Sequence, residues 1–582
     1  MATDDRPVSD AEVTGLADAY ERLRGPGTRH GAGAGSWLRA VKIDTPAAEH
    51  AGIERTSDGW SAHAGAVYGA RPLVDRDLGD LEGQFAVIRH SLGTAEATLG
   101  VDPFGMHGLY VARRRNRVYA STSALALAAH LRARPMRDSI LVWLRSGLQL
   151  GSVTHWDGIE RLEPATELRV GPGVDRAHVY WRPAIDPRVR RLSLDQAVSE
   201  VIEVATGAWA AMRSRPVTWA DLTAGFDTRL MNLLLTAAGV PFETQTRETR
   251  RHQDREIAER VAAAAGWSWR SFLLPATWQD HLPRWASAAL GWSDAHLDAI
   301  HLARNLYSHA EAAAAHPALM VGIGGDHMRG HAWRQELYME GRSNRVNFDN
   351  LLDMRLLHPI DSGLFAMDPT RIARDALERR VRDRAEPYRD ELNTVQLDAI
   401  HAFKMTAHAG AFCSADAGFL RAQLPFYHRP VFGTAFSVDH RHRNNHRLMR
   451  HLIERLNPRV AAIETDTGGP AQGWRIGNLH RFVPYYMKLA RKATNKVSYR
   501  LLGRELMPVH LETGPTMTRA IAAYVTDLDL DPTTMRSGRL YAPERLRTFL
   551  AEARDGRFPD LDFLGRIVTI ELALRAVDDA IE

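Results

Sequence analysis

The chain has 582 residues, 45% of them hydrophobic and 25% charged, with 74 basic against 70 acidic residues, which is ordinary for a soluble globular protein of roughly two to four domains. The net charge of +4 gives no support to nucleic-acid binding, and no stretch approaches the roughly 20 apolar residues that cross a bilayer. The single cysteine, Cys413, excludes an internal disulfide framework, and the start of the chain lacks the basic-then-apolar order of a signal peptide, so we expect a cytoplasmic protein.

The first part of the chain is predicted to be rich in β-strands. Residues 1–30 are polar and lead into a glycine-rich stretch, which indicates a loose or partly ordered lead-in. Between residues 37 and 181, short runs such as QFAVIRH, ATLGV, RVYAST and TELRV are bounded by turn residues, as is typical of strands. Only residues 124–131 and 139–150 have helical patterns there. We therefore predict a first domain over residues 1–190.

After Pro216 the pattern changes to strands that alternate with long helices. VTWADLT, FETQT and ALMVGIG have the pattern of strands, whereas TRLMNLLLTAAG and EIAERVAAAAG have that of helices. This alternation predicts βαβ units and a parallel sheet. Beyond residue 350 the sequence is mostly helical. We predict a second domain over residues 191–582 that ends in a helical extension.

The segment at residues 220–230 has the most informative chemistry. A strand ends there, small residues follow, and an amphipathic helix begins. N–H groups at a helix start form a cradle for phosphate oxygens, and the hydroxyls of Thr223 and Thr228 would add donors. A carboxylate in such a loop repels phosphate unless a divalent cation bridges the two, so Asp227 implies Mg²⁺.

This segment resembles the phosphate loop of the PP-loop ATP enzymes, whose pattern is Ser-Gly-Gly-x-Asp-Ser. Thr223, Ala224 and Thr228 depart from that pattern, although both threonines keep the hydroxyl. Residues 321–326, with the sequence VGIGGD, resemble the Gly-x-Gly-x-Asp segment that follows a later strand in asparagine synthetase-like proteins. A small-residue turn with no ligand remains the alternative for either loop taken alone.

Further segments in the same order extend the resemblance to the asparagine synthetase-like family over about residues 75–470. They are LEGQFA at 81–86, DPFG at 102–105, GLY at 108–110, YAST at 119–122, YW at 180–181, LPF at 424–426 and the run from 445 to 470. The resemblance implies a mixed α/β fold. An Ntn-hydrolase-like β-sandwich of the glutamine amidotransferase type would precede a Rossmann-like PP-loop domain with a parallel sheet and many added helices.

The resemblance also implies residues that bind ATP and Mg²⁺. Asp227 and Asp326 would hold Mg²⁺ and serve catalysis. The family has a lysine at the position of His446, so His446 and the adjacent Arg447 are candidate catalytic residues, with a solvated basic patch as the alternative. The residues expected to contact the nucleotide are Leu222, Thr223, Ala224, Gly225, Phe226, Asp227, Thr228, Thr246, Val321, Gly322, Gly324 and Gly325.

Two departures from the family bear on mechanism. Glutamine-using members have a cysteine as residue 1 after processing, whereas here Ala2 follows Met1. We therefore expect a degenerate amidotransferase domain without glutaminase activity, as in β-lactam synthetases and lasso-peptide cyclases. Ile323 stands where some members have a Glu or Tyr, and it cannot accept a proton. Glu243, Glu248 and Asp254 are alternative bases, although Asp254 fits a helix start better.

The sequence thus predicts an ATP-dependent ligase that makes an amide. It would activate a carboxylate as an acyl-adenylate, release pyrophosphate and pass the acyl group to an amine, with small molecules or peptides as substrates. Two alternatives stay open, a lasso-type peptide macrolactam cyclase and a catalytically degenerate homologue that binds a nucleotide or a partner protein. We expect no nucleic-acid or membrane partner and allow for a homodimer.

Overall fold

In the computed structural model, which describes residues 7–68, 73–74, 76–115, 117–213, 215–247, 252–502, 506 and 514–579, the strands form three antiparallel sheets and one parallel sheet. The strands are β1 Thr28–Ala34, β2 Leu38–Asp44, β3 Glu54–Thr56, β4 Gly59–Tyr68, β5 Glu82–Ser91, β6 Ala97–Val101, β7 Tyr110–Arg114, β8 Arg117–Ser121, β9 Ile159–Arg161, β10 Thr166–Gly171, β11 Val174–Val179, β12 Thr218–Asp221, β13 Phe242–Arg247, β14 Trp269–Phe272, β15 Ala318–Met320 and β16 Arg421–Gln423. The prediction of a mixed α/β protein is confirmed.

Helices surround the sheets and fill most of the second half of the chain. They are α1 Asp10–Arg24, α2 Ala124–Leu131, α3 Arg137–Ser146, α4 Pro187–Arg190, α5 Leu194–Trp209, α6 Phe226–Ala238, α7 His252–Ala265, α8 Trp278–Ser293, α9 Ala299–Ala313, α10 Arg334–Glu340, α11 Phe348–Leu351, α12 Thr370–Ala385, α13 Asn393–Asp416, α14 Arg429–Ser437, α15 His440–Arg443, α16 Arg447–Leu456, α17 Pro458–Ala461, α18 Val483–Leu502, α19 Pro515–Asp527, α20 Pro543–Arg554 and α21 Leu561–Asp579. Among the described residues, no helix combines the length and apolar character that a bilayer crossing needs.

The antiparallel sheets occupy the N-terminal part of the chain, as the sequence predicts. The largest has the strand order β11-β10-β6-β5-β4-β3, and the three-stranded sheet has the order β8-β7-β9. Trp60, Leu99 and Leu168 of the large sheet lie in one buried core with Val111 and Val118 of the small one. Successive strand residues face opposite sides, so each sheet turns its apolar face inward. The predicted boundary at residue 190 coincides with the end of α4, and the division into two domains remains a prediction.

The prediction of a loose or partly ordered lead-in is wrong for residues 10–24 and 28–34, which form α1 and β1. Helix α1 begins with a capping box, because Glu12 N donates to Ser9 Oγ at 3.3 Å and Ser9 N donates to the Glu12 carboxylate at 3.0 Å. Ala19 of α1 is fully buried beside Ala126 and Ala129 of α2. Packing against α2 therefore orders a segment whose polar composition suggested otherwise.

The parallel sheet has the strand order β14-β13-β12-β15-β16, and all its neighbours run in the same direction. The predicted βαβ pattern is confirmed here, while the short strand β16 was not predicted. The chain adds β13 and β14 on one side of β12 and then returns to place β15 on the other. In open parallel sheets, ligands bind outside the carboxyl ends of the strands at such a reversal of order. The crevice between β12 and β15 is therefore the first place to look for a site.

Helix α13 connects this sheet to the N-terminal strands. Its Thr406 hydroxyl donates to Phe104 O at 2.8 Å, and Arg161 donates to Thr406 O at 3.3 Å. Phe104 in turn packs its ring against Tyr427, with centroids 4.9 Å apart. Since Phe104 belongs to the predicted DPFG motif, that turn holds the two sheet regions together. The same helix brings His401 to the carboxyl ends of the parallel strands.

Candidate nucleotide and metal site

The loop after β12 is fixed by hydrogen bonds to β13 and within itself. Leu222 N donates to Gln245 O at 2.7 Å, and the Thr246 hydroxyl donates to Leu222 O at 2.7 Å. Thr223 N donates to the Thr228 hydroxyl at 3.0 Å, and the two threonine hydroxyls lie 3.0 Å apart. The hydroxyls expected to face phosphate thus close the loop onto the start of α6.

Helix α6 presents its amino end to the crevice. Gly225 occupies the N-cap position and has no side chain to accept hydrogen bonds from the first turn, and Asp227 lies within that turn. The first amides of a helix carry a partial positive charge and lack helical acceptors. The loop therefore supplies no side-chain acceptor to the first amides of α6.

Glycines bring the loop after β15 into contact with the first loop. A methyl group at Gly322 would lie 2.8 Å from Thr228 N, and one at Gly325 would lie 2.9 Å from Asp227 Cβ. Gly324 has φ +98° and is closed in by the Tyr427 ring and by Phe426 Cβ. Only hydrogen fits at these positions, so the two predicted loops pack directly on each other at the reversal of strand order.

Asp227 is the acidic residue of the first loop. Arg329 donates to its Oδ2 at 2.7 Å, while its Oδ1 is buried without a hydrogen-bond partner. Burial raises the pKa of Asp227 to about 6; Asp326 and Asp466 also raise it, and Arg329 opposes them. This carboxylate thus has one oxygen paired with Arg329 and one buried oxygen available.

Asp326 is the acidic residue of the second loop, and its pKa is shifted in the opposite direction from that of Asp227. His401 hydrogen-bonds to its Oδ2, and its Oδ1 is again buried without a partner. Burial would raise the pKa of Asp326, but the nearby His401, His327 and Arg329 outweigh burial and hold it well below its usual value. Asp326 therefore stays ionised.

His446 and Arg447 occupy different environments. The His446 imidazole is buried and stacks on the Phe226 ring, with centroids 4.7 Å apart and planes 20° from parallel. Burial, followed by the charges of Arg329 and other arginines, lowers its pKa well below its usual value, so the ring is neutral. Arg447 begins α16 with an exposed side chain. The cation in contact with a predicted carboxylate is Arg329 instead.

The alternative bases lie elsewhere or outside the described residues. Glu243 lies at the amino end of β13, where its carboxylate is 3.3 Å from His316 Nε2, so it is at the edge of the sheet opposite the two loops. Asp254 is in the first turn of α7, as the preferred prediction had it. Glu248 falls outside the described residues. Ile323 packs against a buried apolar core.

Sequence reasoning missed three polar residues that touch the two carboxylates or lie beside them. Arg329 and His327 follow Asp326 within three positions, so the run GDHMR contained a signal that could have been used. His401 is 75 residues from Asp326 and reaches it only through the path of α13. No local pattern identifies that contact.

The sequence matches no family model and no curated protein. The site consists of two carboxylates on adjoining loops, which pack together through the glycines of the second loop beside the start of α6, where no side chain caps the helix.

Proposed function

We propose that this chain is an ATP-dependent carboxylate–amine ligase that forms AMP and pyrophosphate, similar in chemistry to the asparagine synthetase-like enzymes. The observation that supports it most is the pair Asp227 and Asp326, each with one buried carboxylate oxygen that no group satisfies. Buried polar atoms in folded proteins are nearly always paired, so an unpaired one indicates a missing partner. Here two such oxygens lie on adjoining loops.

The residues present fit Mg²⁺ and a triphosphate. Magnesium prefers carboxylate oxygens and usually retains water while bridging phosphate groups, and Oδ1 of both Asp227 and Asp326 is available for it. The start of α6, which has no side-chain cap, suits phosphate oxygens. The bound ion would neutralise charge on the phosphates during reaction.

Arg329 suits the first half-reaction. In that step a substrate carboxylate oxygen bonds to the α-phosphorus, and the bond from this phosphorus to the bridging oxygen breaks to release pyrophosphate. Negative charge grows on the leaving group, and the Arg329 guanidinium, which contacts Asp227, would stabilise it. In the second step an amine nitrogen bonds to the acyl carbon, AMP leaves, and the amine loses a proton.

The amine is proposed to be a substrate rather than ammonia from glutamine. Cys413 is buried in α13, and burial, with Asp416 and Asp102 nearby, raises the pKa of its thiol well above the usual value. Such a thiol is a poor nucleophile because the thiolate is the reactive form. Residues 1–6, including Ala2, lie outside the described part of the chain.

Carboxylate-dependent exchange of labelled pyrophosphate into ATP tests the proposal without knowing the amine. We expect the wild-type protein to catalyse exchange with at least one carboxylate from a panel of amino acids, small acids and peptides. Asp227→Asn should abolish it, whereas Asp195→Asn, an exposed carboxylate in the first turn of α5, should not change it.

The alternatives predict other outcomes. A degenerate homologue binds nucleotide or a partner without exchange. A peptide cyclase shows exchange only with peptides that contain both the carboxylate and the amine. Full exchange activity in the Asp227→Asn variant would refute the site assignment.

A further inference from the structure

We propose that Asp326, His327 and His401 bind a divalent transition-metal ion, such as Zn²⁺, Co²⁺ or Mn²⁺, at the edge of the candidate nucleotide site. The three residues are called the Asp326 triad below. The triad itself is testable without nucleotide, whereas the role of the ion beside the pyrophosphate rests on the proposed function.

The geometry of the triad suits a single ion. One ligand atom from each of the three residues lies within 4.8 Å of the other two. Ligands about 2.0–2.2 Å from one ion lie roughly 3–3.5 Å apart in tetrahedral or octahedral geometry, so side-chain rotations that move the ligand atoms by about 1 Å would bring them onto one ion. The His327 ring is 1% exposed, and the side chains of Asp326 and His401 are 13% and 11% exposed. The site is thus enclosed yet reachable from the crevice.

The hydrogen bonds of the triad leave ligand atoms unused. Oδ1 of Asp326 and Nδ1 of His327 are both buried without a partner. The other ring nitrogen of His327 lies 3.5 Å from the Tyr427 hydroxyl, a long contact that orients the imidazole. Metal-bound histidines commonly have their second nitrogen held in this way. An ion bound by Oδ1 and Nδ1 would satisfy both atoms at once.

Two elements hold the triad in place. His327 and Asp326 lie on the tight turn after β15, and this turn is fixed because Arg443 donates to His327 O at 2.8 Å. His401 lies on α13, which the N-terminal sheet region supports through Thr406. Ligands on rigid elements bind with little loss of conformational entropy.

The ligand types decide which class of ion is expected. Carboxylate and water suit Mg²⁺, whereas two imidazoles and one carboxylate favour transition ions. Three protein ligands leave further positions open, as in catalytic rather than structural zinc sites. We therefore assign the Asp326 triad to a transition ion beside the Mg²⁺ ion, with the Asp326 carboxylate as the ligand that the two ions would share. The rival explanation is a plain hydrogen-bonded pair between His401 and Asp326.

Titration of the full-length, metal-free protein with Co²⁺ in the absence of ATP tests the assignment. We expect one equivalent to bind, with visible absorption bands of cobalt bound by nitrogen and oxygen, and with Zn²⁺ displacing it. His401→Gln and His327→Gln should each weaken binding at least about tenfold. His408→Gln is the matched control, because His408 lies seven residues further along α13 with an exposed ring and should bind Co²⁺ like wild type.

The outcomes separate this inference from the ligase proposal. Asp227→Asn removes no triad ligand, so it should retain Co²⁺ binding even though it loses pyrophosphate exchange. Unfolding curves check that His327→Gln, a buried substitution, is folded, and His401→Gln provides the test if it is not. Co²⁺ affinity no greater than Mg²⁺ affinity, or unchanged Co²⁺ binding in His401→Gln, would overturn the triad. If the wild-type protein bound Co²⁺ as expected but catalysed no pyrophosphate exchange, only the ligase proposal would be overturned.

Discussion

Asp294 and Asp227 are both carboxylates paired with an arginine, and they differ in whether the second oxygen is used. Asp294 is fully buried; its Oδ2 accepts from Arg24 at 2.7 Å, and its Oδ1 accepts from the Ser123 hydroxyl at 2.6 Å and from Leu125 N at 3.1 Å. Asp227 has the Arg329 pair on one oxygen and no partner on the other.

The difference separates a structural charge from a functional one. Asp294 joins the end of α8 to α1 and to the start of α2, and every oxygen contributes to that junction. Asp227 leaves a hydrogen-bonding group unmet in a half-enclosed crevice, which costs folding free energy that a ligand would recover. A buried ion pair is therefore not informative by itself, and neither is one unpaired oxygen, since Asp398 Oδ1 and Asp416 Oδ2 are also buried without a partner. Asp227 is distinguished by its place in the first turn of α6, packed against the loop that carries Asp326.

The largest effect on stability is expected for Asp294→Ala. The change leaves the Arg24 guanidinium, 2% exposed, without its counter-charge, and should lower the free energy of unfolding by about 3–5 kcal/mol. Urea unfolding measures it. Asp18→Ala removes an exposed carboxylate from Arg29, so this control should lose less than about 1 kcal/mol. Equal losses in the two variants would contradict a structural role for Asp294.

Gly325→Ala tests how tightly the two loops pack. The added methyl group would lie 2.9 Å from Asp227 Cβ and 3.0 Å from the Phe426 ring, so we expect a loss of about 1–3 kcal/mol in thermal or urea unfolding. Gly207→Ala in α5 adds a methyl group with nothing within 4 Å and should be neutral or stabilising. If the two variants were equally stable, the direct contact between the loops would be refuted.

The pH dependence of metal binding should report Asp227. Its pKa, raised to about 6 chiefly by burial, means that protons compete with a cation below that pH. Mn²⁺ affinity at the nucleotide loops should fall about tenfold between pH 7 and pH 5, or about 1.4 kcal/mol. The folding stability of the metal-free protein should depend on pH in the opposite direction. The buried charge of Asp227 lowers the free energy of unfolding above pH 6, and this cost shrinks as the pH falls towards 3.8.

Paramagnetic resonance of Mn²⁺ without ATP avoids protonation of the nucleotide. The His401→Gln variant lacks one ligand of the Asp326 triad, so Mn²⁺ bound there should not contribute. Its plot of Mn²⁺ affinity against pH should still change slope near pH 6. Affinity that is flat from pH 5 to pH 7 in both proteins would show that Asp227 does not bind the ion.

The smallest effect is expected for Asp227→Asn on stability. The substitution removes an ion pair whose carboxylate and guanidinium are 26% and 24% exposed, and it also removes a poorly satisfied charge. These terms oppose each other, so the free energy of unfolding should change by less than about 1 kcal/mol. Asp294→Asn in the same urea series should be clearly less stable. A large loss in Asp227→Asn would make it a structural residue like Asp294.

Local sequence predicted the elements that local rules determine. The alternation of strands and helices located β12, α6 and β13, because apolar periodicity and turn residues specify them. The three-residue strand β16 is too short for a periodicity to be visible. Helix α1 was missed although Ser9 and Glu12 form a recognisable capping box, so its signal was present in the sequence.

The candidate site likewise has parts that local sequence predicted and parts that it did not. The small-residue run 222–228 and the glycine-rich run 321–326 are local and indicated both loops. The basic run RHRNNHR allowed two interpretations, candidate catalytic residues or a solvated patch. Its environment is set by distant residues, since Arg443 is buried against Asp398 at 2.7 Å. His401 joins Asp326 through tertiary packing alone. Burial and pairing at these positions follow from the path of the chain between strands, which no local pattern encodes.

Calorimetric titration of ATP with and without Mg²⁺ tests the central claim most directly. The wild-type protein and Asp195→Asn should bind ATP in Mg²⁺ and bind it at least tenfold more weakly in excess chelator. Asp227→Asn and Asp326→Asn should lose that Mg²⁺-dependent gain. ATP affinity that is unchanged by chelator, or equal in all four proteins, would contradict a metal–triphosphate site between the two loops.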